Sequence, residues 1–233
     1  MITHVTISDK DIEEINKSAS KSYISNEQPL SYKGIVVPKP WGGEFLFFED
    51  SHIAAWFLSI DKGHSTSMHC HPNKRTVLII LSGIALGRTL HGSSVLHPGK
   101  IVIYEPGVFH STKGITQIEM AEIESPNKKD DLLRLEDQYG REKMGYEDKK
   151  TMSPIGEHFY LDDTNPVYAQ QHYCISIGDK IKCGEINVIG NNQDGLVPNS
   201  CMLEDKDIVI CNANILRFKF PSKENLYECR KCI

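Results

Sequence analysis

Long hydrophobic runs are missing from this chain: no stretch of its 233 residues approaches the ~18 consecutive apolar positions that a membrane span needs. The opening segment, MITHVTISDKDIEEINKSAS, lacks the apolar core of a secretion signal, so a cytoplasmic location and no membrane partner are expected. Positive charge is also scarce, with 26 Lys and Arg against 31 Asp and Glu and a formal net charge of -5. With no basic tail and no helix-turn-helix segment, nucleic acid is not an expected partner. Cysteine is present but odd in number, at Cys70, Cys174, Cys183, Cys201, Cys211, Cys229 and Cys232, which argues against a complete secreted-type disulfide framework. Reduced, buried thiols are expected. The terminal CRKC is half of a zinc knuckle without its other half, a weak signal for metal or redox chemistry.

What is present is a soluble globular composition, 39% hydrophobic and 24% charged, long enough for one large all-β domain or two small ones. Residues 8–19 predict a short helix, with Ser8 or Asp9 as N-cap and Ile12 and Ile15 on one face. From Gly34 onward, short runs rich in Val, Ile, Phe and Thr alternate with Gly, Pro, Asn and Asp, the pattern of a barrel or sandwich. Strands are predicted at about 43–49, 52–60, 64–71, 76–82, 84–90, 101–105 and 116–124, with turns at 61–63, 72–75, 91–94 and 106–107. Residues 126–152 mix charges of both signs around Leu132, Leu133 and Leu135, which predicts a short helix and then a solvated connector, the best boundary in the chain. Beyond it the pattern returns to short strands, in a smaller β unit that holds six of the seven cysteines but no paired histidines.

The chemistry concentrates in HSTSMHCHPNKRTVLIILSG at 64–83. On a strand, side chains alternate faces, so His69 and His71 point one way while Met68 and Cys70 point the other. Cys70 is then a small core residue rather than a nucleophile or ligand. The turn that follows can bring Thr76 back beside the pair. Far downstream, PGVFH ends in His110, a third imidazole from a remote segment. Neutral imidazole is a good ligand for zinc, iron, nickel and copper, and it is mostly deprotonated at neutral pH with a reference pKa of about 6.5. A single histidine on a sheet face is usually only packing; three at these spacings predict a metal site.

The glycine and histidine spacings, Gly63, His69, His71, Gly83, then Gly99, Pro106 to Gly107 and His110, resemble the two motifs of the cupin superfamily over about residues 35–125. That resemblance implies an all-β cupin jelly-roll barrel and a divalent metal ion, with zinc, iron, nickel or manganese all open, held by His69, His71 and His110. It divides the chain into an N-terminal helical extension (1–34), a cupin domain (35–150) and the smaller C-terminal unit (151–233), for which a degenerate second cupin-like unit is one form. Cupins usually carry glutamate where Thr76 stands, so the expected ligand set is three neutral imidazoles, unless Glu105, in place of a motif proline, serves as ligand or base rather than lying at the rim. A homodimer is the default expectation from the resemblance.

A narrower resemblance comes from KPWGGEFLF at 39–47 and DDLLRLEDQYGR at 130–141, which look like the flanks of the C-terminal cupin of type II mannose-6-phosphate isomerases. Between them the match departs at His69 and Thr76, where that family has glutamine and glutamate. It implies a small carbohydrate substrate, a sugar phosphate or nucleotide sugar in surface polysaccharide synthesis, and isomerase-like chemistry through an enediolate. Arg134 is the candidate for holding the oxyanion, against a surface ion pair with Asp130, Asp131 or Asp137. Lys39, Lys74, Arg75 and Arg88 are candidates for phosphate, against solvated strand and turn cations. Trp41 is a candidate sugar platform, against a core plug. Two rival functions follow from the same motifs: a three-histidine iron dioxygenase, and a non-catalytic sugar-binding module.

Overall fold

Alternation of apolar and polar residues makes strands with two distinct faces, and here most of those faces are covered. The computed structural model describes residues 2–18, 27–127, 131–143, 147–156, 159–178, 180–181, 185–189, 197–200, 208–209 and 215–220. The Cys229 and Cys232 pair of CRKC and Asp130 lie outside them. The first strands are β1 (Ile2–Val5), β2 (Ile35–Lys39), β3 (Gly42–Glu49), β4 (Ala54–Ile60), β5 (Met68–Cys70) and β6 (Arg75–Ser82). They continue as β7 (Ala85–Thr89), β8 (Gly92–Leu96), β9 (Ile101–Tyr104), β10 (His110–Gly114), β11 (Ile118–Ser125), β12 (Leu133–Glu136) and β13 (Ser153–Pro154). Helix α1 (Asp9–Ser18) follows β1, and Ser8 caps it, its Oγ accepting the Asp11 N–H at 3.3 Å while Asp11 Oδ2 accepts the Ser8 N–H in return.

One sheet has the order β1-β9-β6-β11-β4-β3-β2-β13 and the other β12-β5-β10-β7-β8. Strands β4 to β11 therefore divide four and four, β4-β11-β6-β9 against β5-β10-β7-β8, which is the strand order of a jelly roll. The expected all-β barrel is present. Its interior is filled by Leu46, Trp56, Leu58, Leu78, Ile80 and Met120 among others. At Gly83 the chain turns with φ +77°, where an added Cβ would stand 2.1 Å from the Gln117 carbonyl oxygen, so the motif glycine is sterically required.

The C-terminal strands are β14 (Val167–Ala169), β15 (Cys174–Gly178), β16 (Lys180–Ile181), β17 (Ile186–Ile189), β18 (Val197–Ser200), β19 (Ile208–Val209) and β20 (Ile215–Lys219). They form a sheet of order β14-β15-β20-β17-β18 and a β16-β19 pair. Tyr173, Ile175, Val188, Leu216 and Phe218 share one core with Phe45, Phe57, Val77, Ile79 and Ile123 on the outside of the barrel. This third layer explains why the run from Val77 to Leu81 is apolar without a break: its odd residues face the cover and its even ones the barrel interior. Cys70 and Cys174 are free and buried.

Three expectations are corrected. The helix predicted around Leu132 to Leu135 is strand β12, because Leu133 joins Met68, Cys70 and Phe109 on one face while Arg134 turns to the other. The turn predicted at 91–94 runs into strand β8, an exposed edge whose apolar residues, Val95 and Leu96, come only at its end. The strand predicted over 64–71 shortens to β5, with Ser65 making only a bridge to Lys113.

Candidate metal centre

Strand β5 lies between β10 and β12, and the register sets His69 opposite His110 on one side and Arg134 on the other. The three imidazoles converge: ring centroids are 4.7 Å apart for His69 and His110, 5.3 Å for His69 and His71, and 6.0 Å for His71 and His110. One ligand atom from each, and one from Glu122, lie within 4.8 Å of one another. Each ring is also oriented by a backbone carbonyl. His69 Nδ1 meets Ser67 O at 2.9 Å, His110 Nδ1 meets Val108 O at 2.9 Å, and His71 Nδ1 meets Asp131 O. A carbonyl can only accept, so each Nδ1 carries the proton and each Nε2 keeps its lone pair for the centre. His110 Nε2 is buried and has no hydrogen-bond partner among the described residues, as expected of a ligand atom awaiting a cation. Three nitrogens, each braced from behind, and one carboxylate oxygen fit a divalent ion.

Thr76 is on the inward face of β6, 1% exposed, and its hydroxyl has no hydrogen-bond partner among the described residues. The carboxylate that this position lacks comes from the neighbouring strand β11, whose register sets Glu124 opposite Thr76 and Glu122 opposite Leu78. Beside the three imidazoles expected from the sequence, the Glu122 carboxylate stands within reach as a fourth candidate ligand. Glu124 Oε1 stands 3.2 Å from His71 Nε2 and 2.9 Å from Lys74 Nζ, the latter a charge contact without hydrogen-bond angles. Both glutamates were missed in the sequence, although the alternation in IEMAEIES sets Met120, Glu122 and Glu124 on one face, where acids among core residues are a signal.

A pocket of roughly 530 Å³, counted with its open mouth, gives onto His69, His71, Glu122 and Glu124. Trp41, Trp56 and Leu58 make its apolar wall, and Lys39, Arg134 and Arg141 line it with cations. Arg134 is 4% exposed, donating from Nε to Ser67 Oγ at 3.1 Å and from Nη1 to Arg141 O at 3.1 Å, so it is no surface residue. Lys39 pairs with Glu44 at 3.2 Å and with Glu147, and Trp41 is both a core residue and a wall. The remaining candidates are elsewhere. Lys74 is wholly buried beneath its turn against Glu124, so it offers no solvent-facing cation for phosphate. Arg75 and Glu105 pair with each other at 2.9 Å, Glu105 also meets His4, and neither lines the pocket. Arg88 is exposed in a separate groove with Ser111 and Glu136. Sequence reasoning also missed Asp131, whose carboxylate takes Asn73 N and Nδ2 at 2.8 Å each and so fixes the turn that follows His71.

Burial, with the fields of His110 and His71, holds the His69 imidazole well below its ordinary pKa. Burial likewise lowers His110 to about 4, against the opposing pull of the Val108 carbonyl, Glu124 and Asp11. Both rings are therefore neutral and ligand-ready at neutral pH. The sign for stability follows: an unfolded histidine binds a proton near pH 6.5 that folded His110 refuses until about pH 4. Its contribution is complete above the unfolded value and is lost as pH falls through that window, by about 3 kcal/mol in metal-free protein. Urea denaturation of chelator-treated protein at several pH values should show this loss, and His110→Gln should show a flatter profile. Equal slopes would mean that His110 titrates normally.

No family model matches the chain, and no curated protein does. Among solved structures, KdgF from Halomonas sp. is similar at 15% identity and a TM-score of 0.37, over 47% of this chain and 98% of that one. A double-stranded β-helix protein from Klebsiella pneumoniae is similar at 18% identity and a TM-score of 0.38, over 50% and 100% of the two chains. The DMSP lyase DddQ from Ruegeria pomeroyi is similar at 18% identity and a TM-score of 0.36, over 47% and 60%. Each covers no more than half of this chain, and the strand order establishes the barrel independently of them. The chain folds as a jelly-roll barrel whose inner face carries three histidines and a glutamate able to take a divalent metal ion.

Proposed function

We propose that this chain is a divalent-metal cupin that acts on a small carbohydrate precursor, a sugar phosphate or nucleotide sugar of surface polysaccharide synthesis, by isomerase-type proton transfer. The observation that carries the reading is the convergence of His69, His71, His110 and Glu122, three of which, His69, His71 and Glu122, line a pocket that also holds a buried arginine. Lys39 and Trp41 from one flank of the narrower sequence resemblance, and Arg134 and Arg141 from the other, line that same pocket, which supports a carbohydrate substrate. The reading takes the protein as cytoplasmic and homodimeric; among the described residues no helix is long and apolar enough to cross a membrane.

His69, His71, His110 and Glu122 would hold the ion, which when bound supplies a Lewis acid for neighbouring carbonyl and hydroxyl oxygens. Arg134, fixed by Ser67 and the Arg141 carbonyl, holds the developing oxyanion at a buried site where its charge counts most. Glu124 takes the proton from one carbon and returns it to the neighbouring one, and Lys74 keeps its carboxylate in place. Trp41 and Trp56 meet the C–H faces of the sugar and exclude water. Glu122 in the ligand cluster is the feature that disfavours the three-histidine dioxygenase.

The test is solvent exchange: metal-loaded protein incubated with hexose phosphates in deuterated water should place deuterium on the carbon beside the carbonyl. Glu124→Gln should retain the metal and cut that rate by about 100-fold or more, and Arg134→Met should do likewise. Oxygen uptake without exchange would turn the reading to an oxygenase. Sugar binding with neither would leave a binding module.

A further inference from the structure

The arm made by β1 and α1 has no part in the chemistry above, yet it grips the turn that delivers His110. Glu105 N donates to Val5 O at 3.0 Å, and the Glu105 carboxylate lies between His4 and Arg75. Gly107, at φ +83°, is so close beneath the arm that an added Cβ would stand 2.7 Å from Ile7 Cδ1 and 3.1 Å from Ile15 Cδ1. Its N–H donates to His71 O at 2.9 Å, which joins the same turn to a second imidazole-bearing residue. Phe109 N, one residue before His110, donates to Asp11 Oδ1 at 3.0 Å.

Asp11 is the unusual member of this set. It is 1% exposed, its other oxygen taking the Ser8 N–H at 3.0 Å and the Ser8 hydroxyl at 2.5 Å, with His91 Nε2 at 3.9 Å. Burying a carboxylate carries a large desolvation cost, and an apolar residue would pack α1 onto the sheet without it. What the carboxylate adds is an acceptor at a fixed place for a backbone N–H, next to a segment whose Val108 carbonyl already orients His110 Nδ1. We infer that Asp11 is a positioning residue for the third imidazole, and that the arm acts as a clamp on the metal centre. This rests on the metal reading proposed above. Groups that orient a ligand from behind commonly change metal affinity by 10–100-fold when removed.

The test uses the full chain and cobalt(II) alone as the probe. Asp11→Leu, of similar size but without an acceptor, should weaken cobalt binding by about tenfold or more and speed exchange of the Phe109 amide. Asp11→Asn retains an acceptor and should recover most of the affinity. Lys17→Ala removes the exposed Lys17–Glu14 ion pair of α1 without touching Asp11, and it should leave cobalt affinity unchanged, which separates positioning from loss of helix stability. In wild type, cobalt should slow Phe109 amide exchange, a measurement that stands even if a variant fails to fold. Equal cobalt affinity in Asp11→Leu and wild type, or Phe109 exchange indifferent to cobalt, overturns the clamp alone. Wild type that takes up no cobalt overturns the metal reading and the clamp with it.

Discussion

Replacing His71 by alanine should strip the protein of its divalent ion. The variant loses one of four donor groups, and it also abandons the Asp131 carbonyl that braced the ring and leaves Glu124 without the imidazole 3.2 Å away. Removing a supporting group alone costs 10–100-fold in affinity, so removing a ligand should cost at least about 100-fold. Elemental analysis of protein purified without chelator should give near-stoichiometric metal in wild type and almost none in the variant. Arg88→Ala, whose side chain is exposed in a separate groove, should keep the ion. Equal metal content in His71→Ala and wild type would leave the histidines as packing residues on a sheet face.

Lys74→Met should lower stability by about 3–5 kcal/mol, the usual consequence of removing one partner from a buried ion pair. The Lys74 side chain is wholly buried and that of Glu124 nearly so, at 0% and 8% exposure, with Nζ and Oε1 2.9 Å apart. Methionine fills a similar volume, so most of the loss would come from Glu124, left charged and unpaired among buried groups or forced to take up a proton. Adding Glu124→Gln should recover a large part of it, since a pair of neutral residues avoids the stranded charge. Denaturant unfolding of the two single variants and the double variant closes the cycle. Additive losses would show that the two side chains do not interact.

The fold was legible because its signals were local. Short β-rich runs, frequent turn residues and motif glycines predicted a barrel, and Gly83 shows why the glycine had to be there: a side chain would collide with Gln117. Where local signals were weak the reading failed. Strand β8 opens on Gly92, Ser93 and Ser94 and has its apolar residues, Val95 and Leu96, only at its end, and β12 hides its alternation in a dense mix of charges. The third layer was visible only as strands, since nothing in residues 167–219 says that their apolar face closes over the outside of β6 and β11.

The site divides the same way. His69, His71 and His110 stood out because imidazoles at strand spacing, framed by glycines, are rare. Glu122 and Glu124 did not, because carboxylates on a strand usually face water, and Lys74 looked like one more turn cation.

By itself the sequence determined the strand periodicity, the face shared by His69 and His71, and the recurrence of His110 after a glycine turn, all consequences of backbone geometry within one or two elements. Only the tertiary structure decided that β11 lies beside β6, so that Glu124 stands opposite Thr76 and Glu122 reaches the histidines. It alone set Asp11 against the amide of Phe109 and buried Lys74 on Glu124. Such contacts join residues far apart in the chain, and their energies depend on burial and distance, which no local pattern encodes.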